Sequence, residues 1–83
     1  MHDTFTTSDT NLAAYLIACG HVLQLTDDSD PGRVVFELSP VPEAQRLADF
    51  ADGTATIKVG DFLRWQRHLK RLVFGARDRG AWR

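Results

Sequence analysis

From Arg33 to Leu38 the chain reads Arg-Val-Val-Phe-Glu-Leu, so on an extended backbone Val34, Phe36 and Leu38 fall on one side and Arg33, Val35 and Glu37 on the other. No other feature limits the fold as strongly. A strand with a single apolar side needs cover on that side only. That calls for a small antiparallel sheet backed by helices rather than a sheet buried on both faces.

The preceding segment supplies a partner strand. His21, Leu23 and Leu25 alternate with Val22, Gln24 and Thr26, and the run Asp27-Asp28-Ser29-Asp30-Pro31-Gly32 holds residue types that break strands and make turns. The expectation is a hairpin with one apolar face and one mostly polar face, the latter carrying Val22 and Val35. A further apolar alternation, Ala55, Ile57 and Val59, predicts a short third strand at a sheet edge, and Thr4-Phe5-Thr6-Thr7 can add another.

Three stretches have helical spacing. In the first, Thr7 or Ser8 is the expected cap, Asp9 lies in the first turn, Leu12, Tyr15, Leu16 and Cys19 share a face, and Gly20 supplies the stop. In the second, Ser39 is the expected cap and Pro40 and Pro42 fit only a first turn. Its inner face is Ala44, Leu47, Ala48 and Ala51, and Gly53 ends it. The third opens at Gly60 and Asp61 and runs to about Gly75. The fold class is therefore α+β: three helices on one face of a two-layer domain, in the order helix, strand, strand, helix, short strand, helix. One domain of 83 residues is expected, ordered over about 5–75, with a charged tail at 76–83 that frays.

A 43% apolar and 25% charged composition excludes a disordered chain, and the one cysteine, Cys19, excludes an internal disulfide and fits a reducing compartment. The polar, acidic N-terminus lacks the apolar stretch of a signal peptide, and no apolar run approaches the roughly 18 residues of a membrane span. A cytoplasmic protein with no membrane partner is expected.

The segments Phe5-Thr6-Thr7-Ser8-Asp9 onward, Val34 to Pro40 and Phe50 to Phe74 resemble a family of small proteins classed only as a domain of unknown function. The matching positions are Thr7, Asp9, Leu12, Ala13, Tyr15, Leu16, Gly20, Phe36, Gly53, Ile57, Val59, Leu69, Lys70 and Leu72, spanning roughly residues 5–74. The resemblance implies carriage by bacteria, phages or other mobile elements. Its matching residues cap and pack, and it implies no activity.

The residues offer little chemistry. Cys19 and His21 straddle a helix stop, a spacing that builds no nucleophile–base pair, and His2 and His68 stand apart from both. Counting a calcium loop from Asp28 puts Arg33 at the sixth position and Ser39 at the twelfth, where Gly and Glu are required. The histidines and the cysteine have no zinc spacing, and the six glycines are dispersed rather than gathered into a phosphate loop. No catalytic residue, metal, cofactor or small-molecule substrate is expected.

Charge is the remaining signal. Residues 1–59 carry nine acids against three bases, whereas residues 60–83 carry seven bases against two acids. On a helical wheel Phe62, Trp65, Leu69, Leu72, Val73 and Ala76 gather within about 100°, the width of a core face. Arg64, Arg67 and Arg71 lie opposite, with Lys70, Leu63 and Phe74 on the flank. Two readings stand. In the first the chain is a non-enzymatic protein-interaction module, self-associating (a homodimer) or docking a partner through Leu63, Phe74, Val22 and Val35. In the second Arg64, Arg67, Arg71 and Lys70 contact the phosphates of a nucleic acid, unless they only offset the acidic body.

Overall fold

A computed structural model describes residues 3–30 and 33–81, apart from the side chains of Asp30 and of residues 76–81. Six elements follow one another: β1 (Phe5–Thr7), α1 (Thr10–Ala18), β2 (Val22–Asp30), β3 (Arg33–Ser39), α2 (Ala44–Asp52) and α3 (Val59–Ala81). The three strands form one antiparallel sheet in the order β1-β3-β2. The α+β class expected from the patterning holds. The third strand is β1, whereas residues 54–58 form no strand.

β3 occupies the centre. Phe36 and Leu38 are fully buried and Val34 nearly so, while Val35, Glu37 and Ser39 on the other face are only half-covered. Fully buried Leu16 of α1 and Leu69 of α3 complete the nucleus of the core. Phe62, Trp65, Leu72 and Val73 pack around it, so the expected core face of α3 is real, although Trp65 is half-buried rather than enclosed. Ala76 lies outside the described side chains.

β2 departs from its expected pattern. Leu23 faces Leu38, but Leu25 faces Glu37, so Gln24 is an extra residue on β2. Such a bulge reverses the side-chain alternation beyond it. Thr26 therefore comes opposite Phe36 on the core side, and Leu25, expected on the apolar face, is 55% exposed on the other. A second shift lies between Asp27 and Asp30. The strand also runs through Asp27-Asp28-Ser29 to Asp30, which pairs with Arg33. These residues were expected in the turn; Pro31 and Gly32 lie outside the described residues.

α1 is capped by Asp9, not by Thr7 or Ser8. The Asp9 carboxylate accepts the amides of Asn11 (3.0 Å) and Leu12 (3.1 Å), while the Thr7 hydroxyl accepts the Asp9 amide (3.0 Å). A shorter strand–helix junction explains the shift, because Thr7 still belongs to β1. Ala13, Ala14 and Leu16 are wholly buried because α1 touches both the sheet and α3. Two alanines in sequence let the neighbouring helix come close. Gln66 of α3 donates to the Asn11 side chain of α1 at 2.8 Å. At the stop, Gly20 has φ 111° and the next amide, His21, reaches back to the Leu16 carbonyl at 3.0 Å, a turn that costs a glycine no strain.

α2 begins at Ala44, so Pro40 and Pro42 precede it and the expected first-turn role falls away. Ser39 does not cap it, because that residue closes β3 and its hydroxyl receives the Gln24 amide at 2.6 Å. Ala44, Ala48 and Ala51 are exposed, and Phe50 is the α2 residue packed on the core. One aromatic ring outweighs three methyl groups in area buried, and the helix turns to place it. α3 also continues to Ala81, past the stop expected near Gly75.

Replacing Leu69 by Ala removes a fully buried side chain at the meeting of α3 with the sheet, and should cost about 2–5 kcal/mol. Arg67→Ala on the opposite face should stay within about 0.5 kcal/mol. Urea unfolding followed by circular dichroism measures both, and equal values for the two would mean that α3 is turned the other way.

Candidate interaction surfaces

The two histidines within the described residues are not arranged as bases. His21 is buried, with Nδ1 2.7 Å from the Pro40 carbonyl and Nε2 2.9 Å from an Arg46 guanidinium nitrogen. Arginine can only donate, so Nε2 is the acceptor and Nδ1–H donates to Pro40. Both ring nitrogens are thereby occupied in tying the start of β2 to the segment before α2 and to α2 itself. Cys19, half-buried at the end of α1, gains no base from this neighbour. His68 is exposed and meets Trp65 edge-on at 5.7 Å, and His2 lies outside the described residues. Among the described residues no group of three or more His, Cys, Asp or Glu gathers where a metal could sit.

Between α1, α2 and α3, Tyr15, Phe50, Gly53, Ala55, Ile57 and Phe62 line an apolar recess of about 230 Å³. That is below the roughly 300–1,000 Å³ of small-ligand sites. Tyr15 and Phe50 rings meet at 5.2 Å across it, and the 54–58 segment forms part of its wall instead of a strand. Burial holds the Tyr15 phenol above its ordinary value of 10.0, and the neighbouring Cys19 pushes it the same way.

The sheet face away from the helices is open. Register puts Thr6 and Leu25 across from Glu37, Val22 across from Ser39, and Asp27 across from Val35 on that face. Val22 is 56% exposed, much like Leu25, and Val35 is half-covered. The expected pair Val22 and Val35 is thus brought onto one surface. Leu25, which strict alternation had hidden, joins it because of the bulge. Around them lie Gln24, Ser39, Arg33 and two carboxylates. Asp27 is held below the usual carboxylate range by the amide and hydroxyl of Ser29, at 3.0 and 2.7 Å.

The outer face of α3 is the second surface. Arg64, Arg67, Lys70 and Arg71 are all exposed, as expected. Arg64 pairs with Asp61 one turn earlier at 3.5 Å, and among the described residues no acid stands beside Arg67, Lys70 or Arg71. Offsetting of the acidic body by direct pairing with this row is therefore absent among the described residues. Leu63 is half-buried, whereas Phe74 is 58% exposed, about 16 Å further along the helix axis. Phe74 follows Arg71 by three residues, Lys70 by four and Arg67 by seven, so it sits among the cations rather than beside Leu63. No helix among the described residues is long and apolar enough to cross a membrane.

Stability at high pH tests the Tyr15 environment. The folded state keeps the phenolic proton more tightly than the unfolded chain, so this group costs nothing below its ordinary value of 10.0 and erodes stability as pH rises above it. Denaturation midpoints should fall more steeply above about pH 10 for the natural chain than for Tyr15→Phe. Parallel pH profiles would contradict the buried, proton-holding phenol.

Against known proteins, a family model described as a domain of unknown function (DUF5659) matches residues 2–75. No curated protein and no solved structure matches the chain.

Proposed function

The chain belongs to the DUF5659 family of domains of unknown function, and from that premise we propose that it is a non-enzymatic interaction module whose partner is a second copy of itself. The observation that carries this reading is the open sheet face, where Val22 and Leu25 stand more than half exposed beside Val35. Apolar side chains gathered on an uncovered face stabilise association by leaving water together.

Self-pairing is favoured over a foreign partner because the face carries both signs of charge. Arg33 lies on it with Glu37 and Asp27, and a two-fold arrangement sets each patch against its own image. Arg33 of one copy then meets the acids of the other around the apolar centre. The chemistry-bearing residues support the non-enzymatic part, since the ring nitrogens of His21 are both engaged in holding the fold. A bacterial, phage or mobile-element origin, carried by the sequence resemblance, and a cytoplasmic location, carried by the single cysteine, complete the proposal.

Light scattering across the micromolar range tests it. The natural chain should run as a dimer, and Val22→Lys with Leu25→Lys should run as a folded monomer. A natural chain that remains monomeric throughout overturns the proposal, as does a double variant that stays dimeric.

A further inference from the structure

From Phe62 through Arg77 the chain contains no acidic residue, while Arg64, Arg67, Lys70 and Arg71 all fall within it. A helix shaped only for solubility mixes the two signs, because cations at i and i+4 repel one another when no acid lies between them. Arg67 and Arg71 stand in that relation and are exposed without an acid partner among the described residues. Arg64, Arg67 and Arg71 also line one shallow depression with His68 and Gly60. The unrelieved repulsion along this face is what a bound polyanion would remove.

A second, independent observation selects the kind of polyanion. Phe74 is a large apolar ring that is 58% exposed on the same face, within one turn of Lys70 and Arg71. A partner matched to a ring set among guanidinium groups offers negative charge and a flat face together. A nucleic-acid strand with unpaired bases does so, and sites for single strands combine a cationic track with an aromatic platform. A duplex keeps its bases stacked on each other and has no use for the ring.

We infer that the outer face of α3 binds single-stranded nucleic acid, with Arg67, Lys70 and Arg71 on the phosphates and Phe74 stacked on a base. Trp65, which the letters of the sequence place among the arginines, takes no part, because it packs against the core. The contacts named read backbone and ring faces, so binding is tolerant of sequence. This surface is separate from the open sheet face, and the two activities can be lost independently.

Fluorescence anisotropy of a labelled oligothymidylate of about 15 nucleotides, titrated with the whole chain, tests the inference. Three phosphate contacts predict a log–log salt slope near −2, so affinity should fall about 20-fold between roughly 50 and 200 mM salt. Phe74→Ala should weaken binding about 5- to 150-fold, and Phe74→Trp should retain it. Arg71→Ala should flatten the slope by about 0.7. Since both residues are exposed, circular dichroism should report unchanged folding for these variants. The inference is overturned by no binding at about 50 mM salt, by a duplex of the same length binding as tightly as the single strand, or by Phe74→Ala binding like the natural chain.

Discussion

The one-sided burial of β3 carries the rest of the structure. Its two edges are taken by β1 and β2, and its inner face presents Phe36 and Leu38, both at zero exposure, to Leu16 and Leu69. Burying side chains of this size stabilises by about 1.5–3 kcal/mol each, whereas an exposed ion pair such as Arg64–Asp61 contributes at most about 1 kcal/mol. Four such side chains therefore outweigh the Arg64–Asp61 pair several-fold. Each remaining element is placed by how it reaches this nucleus: α1 through its alanines, and α3 through Leu69 and the ring of half-buried residues around it. α2 is the exception. No residue of α2 is fully buried, and it is held by Phe50 against Tyr15 and by Arg46 against His21.

What the sequence made legible follows from the same hierarchy. β3 and α3 were readable because their periods are strong and their apolar residues large, so packing and local pattern agree. β2 was readable only as far as Leu23, since a bulge leaves no mark in residue types and Gln24 looks like any other outward residue. Of the face expected on α2, Leu47 is half-buried but Ala44, Ala48 and Ala51 are exposed, because the single Phe50 carries more apolar area than three methyl groups in helical time. Asp9, expected in the first turn, caps the helix instead; threonine, serine and aspartate compete for that place in Thr7-Ser8-Asp9, and β1 decides among them by holding Thr7. For the surfaces, the split of Trp65 from the arginines was visible on a wheel. The exposure of Leu25 was not, because it depends on pairing across strands.

The charge asymmetry of the chain is a matter of surfaces more than of internal balance. Acids of the first 59 residues lie mostly on the sheet and α2, and the described cations of α3 lie on the far side of their own helix. A mixed-sign, partly apolar sheet face and a cationic helix face therefore look outward on one small domain, each available to meet something different.

The Gln24 bulge bears on how this protein can change over generations. Inside and outside on β2 are assigned by counting, and the count is altered by one residue. Point replacements along the strand adjust a surface whose layout is already given. Loss of the Gln24 codon would remove the bulge yet keep the pairing on either side of it, with Leu25 still across from Glu37 and Thr26 still across from Phe36. Chains with and without that residue would therefore present the same faces, so a change of length at the bulge is a smaller step than one elsewhere along the strand, where every side chain beyond it would change sides.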